Sequence, residues 1–160
     1  MNTADVQETL YKLFIKPEKA VNIFLQGGPG VGKTSIVAQA AKKAKKNLIT
    51  FALPTCEAVD LRGIPHVVDG KTVWASPLPR TGEGVLLLDE VSSAPPDVQV
   101  AAHHLIWAEE GSDMSLPKGW HVVLTGNRVQ DKTLYRSMSG PLRNRLATVQ
   151  CQADVAQWAH

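Results

Sequence analysis

The sequence predicts an α/β fold in which one parallel β-sheet lies between two layers of helices. Three observations predict it. The runs VNIFLQ, NLITFAL and Leu86–Leu88 are apolar with little of the polar alternation of a half-exposed strand, so they read as strands buried on both faces. Segments of helical period fall between these runs, and a repeated strand–helix order implies a parallel sheet covered on both sides. Finally, 160 residues of 44% hydrophobic composition suit a single domain, which at this size buries about 70% of the surface its unfolded chain exposes.

The elements follow in order. Asp5, with Glu8 three residues on, reads as the cap of a first helix whose Val6, Leu10, Leu13 and Phe14 share one face, ending before Pro17. VNIFLQ is the first core strand, and a glycine-rich turn separates it from the alanine-rich helix TSIVAQAAKKAKK. NLITFAL, the second strand, stops at Pro54. Asp69-Gly70, between HVV and KTVW, is the strongest two-residue hairpin signal and predicts a small ribbon over 64–75. Leu86–Leu88 form the third core strand. PPDVQVAAHHLIWAEEG reads as a helix with proline at its start and Gly111 past its end, HVVLTGN as a fourth strand and ATVQC as the fifth. No repeat, linker or low-complexity tract interrupts the series.

Seventeen basic against fifteen acidic side chains leave a net charge of +2, too balanced to argue by itself for nucleic acid or a membrane surface. Cys56 and Cys151 lie outside any C-x-x-C pattern and read as reduced thiols of a cytoplasmic protein. No signal peptide and no membrane span is expected. Lys42, Lys43, Lys45 and Lys46 suit the negative end of a helix dipole and read as a solvated face. His103 and His104 are neighbours that point apart on a helix, a poor arrangement for one metal. Trp107, Trp120 and Trp158 read as core or flank packing.

Two stretches carry chemistry. GGPGVGKTS fits G-x-x-x-x-G-K-[ST] through Gly27, Gly32, Lys33 and Thr34, a pattern that a random chain of this length would show with a probability of roughly half a per cent. In such a loop the backbone of Gly28, Pro29, Gly30, Val31, Gly32, Lys33, Thr34 and Ser35 wraps the phosphates at a helix N-terminus, with every residue but Pro29 able to offer an N–H. Lys33 reaches the β and γ phosphates, and the Thr34 hydroxyl can hold Mg²⁺. The second stretch, VLLLDEV, ends a buried strand in two adjacent carboxylates, which is costly unless something compensates them. A Mg²⁺ ion between Thr34 and Asp89 would compensate the first. Glu90, where the strand leaves the sheet, can face the γ-phosphate and orient an attacking water. Its plain alternative is a solvated residue at a strand end.

GGPGVGKT, VLLLDEVSSAPPDVQ, VVLTGN and PLRNRL, in this order over nearly the whole chain, resemble the AAA+ ATPases. DEVSSAPPDVQ is most similar to their MoxR and dynein-related branch. The resemblance implies a three-layer αβα P-loop NTPase with five parallel strands in the order 5-1-4-3-2, binding ATP with Mg²⁺. It implies that Asn127 is the sensor that helps place water near Glu90. Arg145 matches the arginine finger that reaches a neighbour's γ-phosphate, with Arg143 the lesser match and a salt bridge or solvated helix end the structural alternative for both. It further implies a homo-oligomeric, hexameric ring when a helical lid is present, remodelling a protein client or adaptor such as one bearing a von Willebrand A domain. The 64–75 hairpin, inserted in the branch's helix 2, would face the pore with His66 and Trp74 as contacts, unless Trp74 packs on its own domain. The chain stops at DVAQWAH, about where the lid would begin. The reading is therefore one core domain over 1–160 with the lid absent or truncated, weak in affinity and hydrolysis by itself. The competing functions are a P-loop kinase, a nucleotide-gated binding module and a DNA-translocating motor. Asp89-Glu90, Asn127 and a late arginine favour attack by water over a kinase, and no interleaving of basic and aromatic residues supports nucleic acid.

Overall fold

The structure is a computed structural model, which describes residues 1–16, 18, 20–131 and 143–152. In chain order its elements are α1 (Thr3–Phe14), β1 (Asn22–Gly27), α2 (Lys33–Lys43), β2 (Asn47–Ala52), α3 (Ala58–Arg62), β3 (Ile64–Val68), β4 (Lys71–Ala75), β5 (Gly84–Asp89), α4 (Pro96–Trp107), β6 (Trp120–Gly126) and β7 (Ala147–Cys151). Five strands form one sheet in the order β2-β5-β6-β1-β7, every pair parallel. Counted over these core strands alone, this is the predicted 5-1-4-3-2 order.

Alternation along each buried strand divides the core in two. Ile23, Leu25, Val85, Leu87 and Val123 face α1 and α2, where they meet Val6, Leu10, Phe14, Ile36, Val37 and Ala40. Phe24, Leu86, Leu88, Val122 and Leu124 face the other way, onto Leu61 of α3 and Val98, Ala101, Ala102 and Leu105 of α4. Each fully buried large apolar side chain contributes about 1.5–3 kcal/mol, so the sheet is stabilised on both faces. That is why β1, β5 and β6 carry no polar alternation. Strand β2, expected to be buried on both faces, lies with β7 at the sheet's edges and is only partly buried, because no described strand covers its outer side.

Helix ends depart from the sequence reading. Asn2, not Asp5, caps α1, its Oδ1 accepting from Asp5 N at 2.8 Å. Glu8 is thereby free to pair with Lys43 of α2 at 2.7 Å. Helix α2 stops at Lys43 rather than running to Lys46, because Lys45 takes a left-handed φ of 54° and Lys46 N returns to Ala41 O. The turn sends Lys46 to Glu83. Two members of the lysine group thus pair with acids. Helix α4 ends at Trp107, because Ala108 is extended (ψ 126°) and Gly111 serves a later turn instead of the helix end. Trp120 is buried as expected, and Gly84 exists to admit it: a Cβ there would lie 2.7 Å from the indole ring. Trp107 is 43% exposed and is not core. Trp158 lies outside the described residues.

The predicted hairpin is present as a separate two-stranded sheet, β3 against β4, turning through Asp69 and Gly70 with φ of 50° and 72°. It leaves α3 at Gly63, where a Cβ would lie 2.3 Å from Ala75 O. Only glycine allows α3 and β4 to meet so closely. Ile64, Val67, Val68 and Val73 are exposed on the ribbon. Trp74 lies by the Arg62 guanidinium, 5.7 Å from carbon to ring centre, and so packs on its own domain. No helix among the described residues is long and apolar enough to cross a membrane.

His121 is fully buried on the α1 side of β6, 5.4 Å from the Phe14 ring, and neither ring nitrogen has a hydrogen-bond partner. Burial pushes its pKa down, and the Lys46 charge adds to this. The fold therefore holds it neutral while the unfolded chain protonates at about pH 6.5, so its contribution is complete above that pH and is lost as pH falls below it. We expect urea denaturation to show stability falling by up to about 1.4 kcal/mol per pH unit below about pH 6.5. His121→Leu should flatten that slope. An unchanged slope in the variant would assign the acid sensitivity to other groups.

Candidate active site

The turn from β1 into α2 is shaped by its glycines. Gly27 lies against β7, where a Cβ would meet Cys151 O at 2.6 Å, so the strand can end only in glycine. Gly30 and Gly32 take φ of 74° and 83°, and among the described residues no atom other than their chain neighbours stands within 4 Å of a Cβ built on either. Gly32, at the N-cap of α2, offers no side chain to the first-turn amides. Those donors face outward at the positive end of the helix, an arrangement that suits an anion.

Lys33 is buried beneath this loop. Its Nζ donates to Gly27 O at 2.9 Å, Gly28 O at 2.8 Å and Asn127 Oδ1 at 3.1 Å. Burial pulls its pKa below the usual lysine range, opposed by the Cys151 thiol and the carboxylates of Asp89, Glu90 and Asp131. A cation ringed by acceptors at the loop's base favours a second anion above it.

Asp89 receives the compensation its position demands from hydroxyls. Thr34 Oγ1 lies 3.0 and 2.9 Å from its two oxygens, and Thr125 Oγ1 donates to Oδ1. Thr125 also accepts from Glu90 N at 2.9 Å, which holds Glu90 in the left-handed region at φ 59°, ψ 43°. Asn127 N donates to Ser92 Oγ at 2.9 Å, and Gln99 Nε2 to Val91 O at 3.0 Å. The segment after β5 is thus pinned to the end of β6 and to α4. The Glu90 side chain is exposed and makes no hydrogen bond or ion pair among the described residues.

The structure therefore joins Lys33, Thr34, Asp89 and Asn127 in direct hydrogen bonds and sets Glu90 beside them. Pro29, Gly30 and Ser35 are exposed, Gly28 is buried, and Val31 and Gly32 are half-buried. Arg145 lies elsewhere on the surface, its guanidinium carbon 4.1 Å above the Trp107 ring at the end of α4; Arg143 is exposed too. Thr125, Ser92 and Arg128 are additions that sequence reasoning missed. The signal for Thr125 was its hydroxyl at the end of an otherwise apolar strand. Thr34 and Asp89 are hard oxygen donors, and Mg²⁺ is commonly held through one or two such protein groups with waters completing its shell, so the pair fits that ion.

A strand, a glycine loop, a helix start and an acid at the end of β5, one strand removed from β1 across β6, define a P-loop nucleotide-binding domain. Residues 22–146 match the family of AAA domains of the dynein-related subfamily, and the chain belongs to that family. No curated protein matches the chain in sequence. Solved structures with the same fold include a candidate ATPase from Cytophaga hutchinsonii, 20% identical with a TM-score of 0.60 over 98% of this chain and 52% of that one. RuvB from Thermotoga maritima is 20% identical with a TM-score of 0.63, covering 93% of this chain and 44% of that one. NtrX from Brucella abortus, solved with ADP, is 17% identical with a TM-score of 0.60, covering 94% and 35%. The chain spans about half or less of the length of these three proteins.

Thr125→Val keeps the shape and removes the hydroxyl that serves both Asp89 and Glu90. It should lower stability by about 1–3 kcal/mol in urea denaturation, since two polar groups lose a partner. Parent-like stability would show that this hydroxyl restrains neither.

Proposed function

We propose that this domain binds and hydrolyses ATP as the core of an AAA+ motor of the MoxR branch. The observation that carries the reading is the hydrogen-bonded set Lys33–Asn127 and Thr34–Asp89–Thr125, with Glu90 held at its edge. The loop N–H groups of Gly28 and Gly30–Ser35 and the Lys33 ammonium would bind the phosphates. Thr34, backed by Asp89, would hold Mg²⁺, which when bound neutralises charge shared by the β and γ phosphates. Glu90 would accept a proton from the attacking water, and Asn127 would orient that water. Because Asn127 already accepts from Lys33, its carbonyl is fixed and its amide is left to donate.

In this reading Arg145 serves a neighbouring copy. Its place on the exposed end of α4, apart from its own Lys33 and Asp89 set, supports a finger acting across a subunit boundary in a homo-oligomeric, six-membered ring. Residues 1–160 would be the core domain of a cytoplasmic protein, and the ring would form where a helical lid accompanies that core. The client would be a protein or adaptor, such as one bearing a von Willebrand A domain, met through the exposed apolar ribbon of β3 and β4.

Lys33→Ala should abolish ATP binding in calorimetry; binding at the parent's strength would overturn the phosphate-loop assignment. Glu90→Gln should keep ATP affinity and lose about 10²–10⁴-fold in turnover. Near-normal turnover would remove Glu90 from the chemistry. In the intact protein Arg145→Ala should bind ATP but not turn it over, and mixing it with Glu90→Gln subunits should restore activity at the shared interfaces. Mixed rings that remain inactive would count against a finger in trans.

A further inference from the structure

The loop motif supplies one cation, yet the structure brings up a second. Arg128 follows Asn127 at the end of β6, and its guanidinium turns back over the glycine loop. Its Nη2 lies 3.3 Å from where a Cβ on Gly28 would sit. Gly28 is also the residue whose carbonyl oxygen accepts from Lys33 Nζ at 2.8 Å. Two cations thus approach one peptide, and Lys33 marks the β/γ end of a phosphate cradle. Arg128 therefore stands at the end of the loop where a terminal phosphate would lie.

An acid now occupies the guanidinium. Asp131, three residues on, accepts from Arg128 Nη2 at 3.1 Å, from Nε at 3.3 Å and from Arg128 N at 2.8 Å. Its Oδ1 lies 3.9 Å from the same Cβ position on Gly28. Arg128 holds the Asp131 carboxyl below the usual carboxylate range, and Lys33 contributes in the same direction. One carboxylate facing two cations at the loop's edge does electrostatically what a phosphate would do there. The pair is not locked in place. The Arg128 side chain is 37% exposed, and an open cavity of about 490 Å³ beside it, lined by Gln26, Val129, Gln130 and Gln150, leaves room for it to move.

We propose that Arg128 is a terminal-phosphate contact supplied in cis, resting on Asp131 without nucleotide and shared with the terminal phosphate oxygens of a bound nucleoside triphosphate. The inference rests on the nucleotide-binding reading above. An arginine fork matches phosphate geometry as well as it matches a carboxylate, so the exchange needs only a rotation of the side chain. Its consequence is discrimination: Arg128 favours triphosphate over diphosphate, while the loop amides and Lys33 serve both.

The test is calorimetry on this chain with Mg²⁺ and either ADP or the slowly hydrolysed analogue ATPγS. Arg128→Ala should weaken ATPγS by about ten- to a hundredfold and leave ADP within about twofold. Arg128→Lys, which keeps the charge without the fork, should recover part of the loss. Asp131→Asn, which releases the guanidinium, should raise the affinity for ATPγS relative to ADP. If Arg128→Ala weakens both nucleotides equally, or neither, the arginine is a structural staple and the proposal is overturned. Should Arg128→Ala not fold, as judged by circular dichroism, Arg128→Lys and Asp131→Asn decide by the same ratio. A parent chain that binds neither nucleotide would overturn the phosphate-loop reading, and this proposal with it.

Discussion

Two threonine hydroxyls on one carboxylate organise this site. Asp89 ends a strand whose other residues are wholly buried, and a lone charge there would cost several kcal/mol. Thr34 comes from the first turn of α2 and Thr125 from the end of β6, so their bonds to Asp89 fasten three elements at one edge of the sheet. The parallel order makes this feasible, because β1, β5 and β6 all deliver their C-terminal ends there. Reversing one strand would carry its polar end to the opposite edge and leave the carboxylate unpaired.

The same clamp explains a local strain. Glu90 holds φ 59°, ψ 43°, a region that costs a non-glycine residue about 1–3 kcal/mol unless its surroundings impose it. Thr125 takes its amide proton, Ser92 is bonded to the amide of Asn127, and Gln99 fixes the carbonyl of Val91. With backbone restrained on both sides, the exposed carboxylate is aimed by the chain rather than by its own contacts. Glycine would adopt this backbone more easily, but it would bring no carboxylate. Retaining a glutamate at a strained position is a local conflict of the kind that functional sites tolerate.

Much of this was legible in the sequence because the dominant forces leave local marks. Apolar runs without alternation gave away the doubly covered sheet, and glycine and lysine spacing gave away the loop. Ser92 left no such mark, and the hydroxyl of Thr125 at the end of an apolar strand acquires its meaning only when β5 and β6 are placed side by side. Helix ends were misjudged where competition decided them. Asn2 outcompeted Asp5 as cap of α1, leaving Glu8 for Lys43, while an ion pair with Glu83 turned Lys46 away from the end of α2. Of the two readings offered for Trp107, core or flank packing, the second holds, its face carrying a guanidinium.

That tryptophan distinguishes the two arginines of the proposed chemistry. Arg128 is bound by a mostly buried carboxylate through a fork of two bonds, a geometry that a phosphate reproduces in charge and shape. Arg145 rests on an exposed indole, an attraction of about 0.5–1 kcal/mol that competes poorly with any nearby anion. Burial chiefly, with the adjacent His104 and the Arg145 charge, lowers the pKa of His103, whose ring lies 5.1 Å from that indole, and among the described residues no ion pair holds the Arg145 guanidinium. A strongly held arginine suits a site within one subunit, where its partner is always at hand. A weakly held one suits a partner that arrives only with assembly, and this contrast supports the proposal that the two residues serve opposite sides of a subunit boundary.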